Sequence, residues 1–123
     1  MRNSTHRDLT VWKKSIILVK DIYVQTRSFP NEELYGLTSQ MRRAAVSIPS
    51  NIAEGYARNS DRELLRFLKI ALGSASELET QIIICNEIGY IKPEVFDSMH
   101  GTVTEILKML ISLNSSVKKK LND

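Results

Sequence analysis

Apolar residues recur along this chain at alternating spacings of three and four, the rhythm that keeps one stripe of an α-helix facing a common side. Leu9, Trp12, Ile16, Val19, Tyr23 and Thr26 form the first stripe, and Asp8 is placed to cap it. Phe29-Pro30-Asn31 interrupts the pattern: Pro30 has no amide hydrogen to give, and Asn31 suits the cap of a following helix. Leu34, Leu37, Met41, Ala44, Ile48 and Ile52 make a second stripe that ends near Arg58-Asn59, with Gly55 loosening its last turns. Ser60-Asp61-Arg62-Glu63 has the form of a capping box. The third stripe behind it is the clearest: Leu64, Leu68, Ala71, Ala75, Leu78, Ile82 and Cys85, closed by Gly89. Pro93 suits the first turn of a fourth helix, in which Phe96, Met99, Val103, Ile106, Leu110, Leu113 and Val117 repeat the heptad.

The expected helices span about 8–28, 32–58, 61–88 and 93–118, all within a single domain, 1–123. Their connections are short, which forces neighbours to lie antiparallel. The predicted fold is all-α, an up-down-up-down four-helix bundle with crossings of roughly 20°. Pro49 falls inside the second helical pattern, where it removes one hydrogen bond and crowds the preceding turn, at about 3 kcal/mol in a plain helix. A kink near Pro49 is the expected outcome. The lysines of Lys118-Lys119-Lys120 sit favourably at the negative end of a helix dipole, and the tail beyond is expected to fray.

Composition agrees with this reading and adds limits. A chain of 123 residues with scarce Gly and Pro leaves no room for the turns of a sheet protein. Residues 1–7 are polar and lack an apolar core segment, so no secretory signal is expected. The longest uninterrupted apolar run, Ile82–Cys85, is far short of a membrane span. Cys85 stands alone, excluding an internal disulfide and fitting a reducing cytoplasm, and it reads as a small buried apolar residue.

Charge changes the picture when the chain is divided. Residues 1–66 hold eleven Lys/Arg against seven Asp/Glu, whereas the remainder is nearly balanced. The basic excess is mild, enough for a polyanionic partner without demanding one. Arg62, Arg66 and Lys69 share one face of the third helix, opposite its apolar stripe, and with Arg42, Arg43 and Arg58 they make a candidate surface for phosphates. No aromatic residue is expected among these cations, so backbone contact is favoured over base stacking. A second polar stripe runs Arg43, Ser47, Ser50/Asn51, Glu54 and Arg58 along the second helix. Ser47, Ser50 and Asn51 can satisfy the backbone groups that Pro49 frees. Arg43, Ser47, Asn51 and Glu54 equally suit a polar network between subunits, since Ala44, Ala45, Ala53 and Gly55 keep the helix thin.

Catalytic chemistry finds no footing. His6 falls in the terminal segment, expected to be mobile, and His100 lacks a spaced partner of the kind that zinc or a nucleophilic triad requires. There is neither a Glu-x-x-His pair nor a glycine-rich phosphate loop. Glu54 and Arg58 read as an i,i+4 ion pair. Neither enzyme activity nor a metal or cofactor is expected.

Three segments have a more particular character. Leu9-Thr10-Val11-Trp12, Phe29-Pro30 with Glu33-x-Tyr35-Gly36-Leu37, and above all Gln40-x-Arg42-Arg43-Ala44-x-x-Ser47-Ile48-Pro49-Ser50-Asn51-Ile52-Ala53-Glu54-Gly55 resemble the 23S rRNA intervening-sequence protein family. Phe67-Leu68-x-Ile70-Ala71-x-Gly73-Ser74-x-x-Glu77-Leu78-Glu79 and Gly89-Tyr90-Ile91 fit as well, and the likeness covers roughly residues 8–115. The resemblance implies an antiparallel bundle assembled as a ring-shaped homopentamer. It also implies distant kinship with the accessory protein of diversity-generating retroelements, a basic pentamer that binds a reverse transcriptase and nucleic acid. That group lacks the Ser47-Ile48-Pro49-Ser50-Asn51 type of signature, so its function does not carry across.

Two functions are consistent with the chain. One is an oligomeric nucleic-acid-associated protein, binding RNA or DNA through Arg42, Arg43, Arg58, Arg62, Arg66 and Lys69. The other is a scaffold that docks a protein partner, in which Arg43, Asn51 and Glu54 are structural. Both place the protein in the cytoplasm, away from membranes.

Overall fold

A computed structural model describes residues 5–122. The chain is all-α, with four helices: α1 Thr10–Thr26, α2 Leu37–Ala57, α3 Asp61–Glu87 and α4 Pro93–Asn122. Single 3-10 turns occupy His6–Asp8 and Asn31–Glu33, and no strand occurs among the described residues. Each helix packs on two others: α1 on α2 and α4, and α3 on α2 and α4. Residue numbers rise along α2 as they fall along α3, since Met41 meets Cys85, Ser47 meets Ser74 and Gly55 meets Leu64. No helix among the described residues is long and apolar enough to cross a membrane.

The core follows the third stripe most faithfully. Leu64, Leu68, Ala71, Ala75, Leu78, Ile82 and Cys85 are all buried, and so are Met99, Val103, Ile106 and Leu110 of α4. Burying a side chain of this size contributes roughly 1.5–3 kcal/mol relative to leaving it in water. In α3 the start and stop are both built as expected. Ser60 Oγ accepts from the Glu63 amide at 3.1 Å, and Gly89 takes φ +79 to end the helix. Gly89 N–H then donates to the Asn86 carbonyl and Tyr90 N–H to that of Cys85, the paired closure that a left-handed glycine permits.

The first helix turns about its axis relative to the expected stripe. Val11, Ser15, Leu18, Ile22 and Thr26 are buried, whereas Trp12, Ile16 and Val19 flank the core and Tyr23 is largely exposed. Ser15 and Thr26 tolerate burial because each hydroxyl donates to a carbonyl of its own helix, Trp12 and Ile22, both at 2.7 Å. Asp8 caps nothing in α1; it belongs to the preceding 3-10 turn, where its carboxylate accepts from the Thr5 amide. His6 lies in that same turn, its ring edge-on to Trp12 at 5.3 Å.

The second helix begins at Leu37 rather than near residue 32. Asn31 opens a 3-10 turn instead of capping α2, and Leu34 stays half exposed outside the helix. Two ties hold this segment. Glu33 Oε1 accepts from the Leu37 amide at 3.3 Å, and Glu33 Oε2 accepts from the Tyr90 hydroxyl at 2.9 Å. Phe29 is buried against the Tyr90 ring. The helical assignment then runs unbroken through Pro49, which is buried. Helix α4 continues to Asn122, past the expected end at 118; Asp123 lies outside the described residues.

Gly55 does something other than loosen α2. A Cβ there would stand 3.0 Å from Phe67 Cβ and 3.1 Å from Leu64 Cδ1. The Leu64 carbonyl oxygen would stand 3.3 Å away as well, so α2 and α3 are in close contact here and a methyl fits only if a neighbour shifts.

Candidate functional site

The middle of the α2 polar stripe, Ser47 and Asn51, is hydrogen-bonded within the chain and reaches α3 through Ser74. Asn51 Nδ2 donates to the Ser47 carbonyl at 2.8 Å and to Ser47 Oγ at 2.9 Å, and Ser47 Oγ shares a 2.8 Å hydrogen bond with Ser74 Oγ. Asn51 therefore serves the Ser47 carbonyl, not the Ala45 carbonyl that Pro49 leaves without its usual donor. Ser74, 27 positions from Ser47, is the partner that helical spacing in α2 alone does not reveal. Gln40, Arg43, Ser74 and Glu77 surround the seam as an open polar groove of about 450 Å³.

The six candidate cations separate into two sets. Arg42 and Arg43 stand sixteen and fifteen positions before Arg58, about 22–24 Å along the α2 axis at 1.5 Å per residue. Arg58, Arg62 and Arg66 gather where α2 turns into α3, with Lys69 one turn further on.

That corner is partly neutralised. Arg58 pairs with Glu54 at 3.1 Å, the expected i,i+4 contact. Arg66 holds Glu63 in a two-pronged contact, Nε to Oε2 at 3.1 Å and Nη2 to Oε1 at 3.2 Å. The bond from Arg66 lowers the Glu63 pKa and the same bond raises that of Arg66. The expectation that no aromatic residue accompanies the cations is overturned here. The guanidinium of Arg66 lies 4.6 Å and that of Arg58 5.2 Å from the centre of the Phe67 ring, within the range of cation–π attraction. Arg62 and Lys69 are exposed.

Arg42 is positioned quite differently. Its Nε donates to Thr26 Oγ1 at 2.9 Å, and its guanidinium stacks 4.7 Å above the Tyr23 ring. Thr26 can accept because its own hydroxyl proton is committed to Ile22. Arg42 and Arg43 both border an open groove of about 750 Å³. Tyr23 walls it from α1, Leu34 and Tyr35 from the 31–36 segment, and Val46 and Ser50 from α2. Its lining contains no Asp or Glu. Tyr35 is 93 % exposed.

Tyr23, Thr26 and Tyr35 carry this arrangement, and none was a candidate by spacing. Pro30 and Gly36 bracket a segment short enough to have signalled a break; the i,i+3 fit of Leu34 with Leu37 concealed it.

Among the described residues there is no group of three or more His, Cys, Asp or Glu side chains that could hold a metal ion. His100 Nε2 lies 3.2 Å from Glu79 Oε2 and its ring stacks on Phe96 at 5.0 Å, an α3–α4 contact. Cys85 is buried with its Sγ 3.3 Å from Met41 Sδ, and loss of water pushes its thiol up to about 12.

A family model described as 23S rRNA-intervening sequence protein matches residues 7–112. The chain is also similar to a crystal structure from Bacteroides thetaiotaomicron, a protein of unknown function from the S23 ribosomal protein family. The two share 28 % identity over 85 % of this chain and 98 % of the other, with a TM-score of 0.77. No curated protein matches.

Proposed function

The chain belongs to the 23S rRNA-intervening sequence protein family, and on that footing we propose a non-catalytic protein that associates with nucleic acid, RNA foremost, through its basic surface. The observation that carries this reading is the groove bordered by Arg42 and Arg43, whose lining holds no Asp or Glu; Glu77 shares only the smaller groove on the α3 side of Arg43. A guanidinium held by Thr26 and Tyr23 has already given up most of its side-chain freedom, so less is lost when it meets a phosphate. Its remaining N–H groups suit charge-assisted bonds to phosphate oxygens. Arg62 and Lys69 extend the surface, whereas Arg58 and Arg66 contribute less because Glu54 and Glu63 take up part of their charge.

The scaffold behind this surface is a single-domain, antiparallel up-down-up-down bundle bent near Pro49. It works in the cytoplasm as a homo-oligomer, a pentamer by the family resemblance, and needs no cofactor. Filter binding to a structured RNA across a salt series tests the reading. Micromolar or tighter binding at low salt that weakens steeply with added salt is expected. Binding no better than millimolar at low salt sinks it.

A different observation favours a second reading, a protein-docking scaffold without nucleic-acid contact. Leu9, Val11, Met109 and Leu113 line an apolar groove of about 480 Å³ between the start of α1 and the end of α4. In that case Arg43, Asn51 and Glu54 serve assembly, and Asn51→Leu or Glu54→Ala shifts sedimentation to smaller species with no effect on RNA. Intact rings in both variants would remove the assembly role.

A further inference from the structure

Tyr35 does nothing for the fold. It is 93 % exposed, yet its backbone is firmly placed: Glu33 N–H bonds to Pro30, Leu34 N–H to Asn31 and Gly36 N–H to Glu33. Glu33 in turn is fixed from both carboxylate oxygens, by Leu37 and Tyr90. A rigid loop thus holds an aromatic ring in water beside two arginines with no carboxylate in the groove between them. Phosphate contact alone has no use for the ring. Apolar docking alone has no use for two cations on a groove wall without an acidic residue. A ligand that alternates phosphates with flat π-faces has use for both.

We infer that this groove is a single-strand site, in which Tyr35 stacks an unpaired base while Arg42 and Arg43 hold the flanking phosphates. The inference rests on the nucleic-acid reading above and names the form of nucleic acid taken. Ser50, on the groove wall, is exposed and suits contact with a sugar or a base edge. A duplex keeps its bases stacked inside and offers Tyr35 nothing. Single strands, loops and bulges can splay a base onto the ring. Every base has a π-face, so little sequence preference is expected.

The test compares an oligouridine of about twelve nucleotides, within the usual range of single-strand site sizes, with an RNA duplex of equal length, by fluorescence anisotropy on the full chain. The single strand should bind more tightly than the duplex. Tyr35→Ala should weaken single-strand binding about tenfold, in line with the loss of one stacked base, and leave duplex binding unchanged. Tyr35→Trp and Tyr35→Phe should retain the affinity, which separates stacking from any role of the hydroxyl. Equal affinity for both probes, with no effect of Tyr35→Ala, overturns the single-strand site while leaving the nucleic-acid reading standing. Failure of both probes to bind overturns both readings. A change in sedimentation for Tyr35→Ala would place the ring in a protein contact and also overturn the site.

Discussion

The Tyr90 hydroxyl donates to Glu33 Oε2 at 2.9 Å across 57 positions of sequence. That one bond joins the α3–α4 connection to the segment presenting Leu34 and Tyr35, and the buried Phe29 packs beneath it. The position of the proposed base platform is thus set from the far end of α3.

The bond fixes a pH dependence. Hydrogen bonding to Glu33, then loss of water, then the charges of Glu33 and Glu32, raise the Tyr90 pKa above its ordinary value of 10.0. A raised pKa means that the neutral phenol is favoured in the folded state. The stabilisation is therefore complete below about pH 10 and is lost as pH climbs through the folded value. Tyr90→Phe should be less stable than the parent at neutral pH by a few degrees in thermal midpoint. Above pH 10 the parent should lose stability faster than the variant, converging on it. Parallel curves across that range would contradict the assignment.

Two glycines should respond oppositely to alanine. At Gly55 the new methyl meets Phe67 Cβ at 3.0 Å, Leu64 Cδ1 at 3.1 Å and the Leu64 carbonyl oxygen at 3.3 Å, so both residues must shift to admit it. Overpacking of this kind costs about 1–3 kcal/mol. At Gly73, inside α3, nothing lies within 4 Å, so Gly73→Ala should stabilise by roughly 0.5–1 kcal/mol through helix propensity. Urea unfolding measures both.

The Ser47–Ser74 bond predicts a coupling. Ser47→Ala, Ser74→Ala and the double variant should give an interaction energy near 1 kcal/mol in a stability cycle. Strict additivity would show that the hydroxyls contribute separately.

Much of this fold was legible from heptads. In α3 every stripe residue is buried, and its Ser60 cap and terminal glycine do what their chemistry suggests, although the Glu63 carboxylate turns to Arg66 and leaves the capping box half made. Periodicity misled where polar groups satisfied themselves locally. Ser15 bonds back to its own helix, so its polarity ceased to mark the surface and most of the α1 face was read one position off; Thr26 alone of that stripe is buried as expected. The start of α2 was obscured by Leu34, whose spacing fits a helix that Glu33 and Gly36 in fact postpone to Leu37. The candidate arginines were visible as residues; their company was not. That Arg42 leans on Tyr23 and Thr26, while Arg58 and Arg66 share Phe67, depends on how helices meet.

Cys85 should be inert in the native state. Its thiol, pushed up to about 12 by burial, supplies almost no thiolate at neutral pH. Labelling with a disulfide reagent should proceed only as fast as the core opens, and denaturant should accelerate it to the rate of a free thiol. Rapid native labelling would mean that the Met41–Cys85 contact is not closed in solution.

The central claim is that Arg42 and Arg43 bind phosphates. The most direct measurement is the dependence of RNA affinity on salt for the parent and for the Arg42→Glu/Arg43→Glu variant. If both residues contact the backbone, the variant binds more weakly and its log–log slope is shallower by about two phosphate contacts. An unchanged affinity and slope in a folded variant would contradict the account.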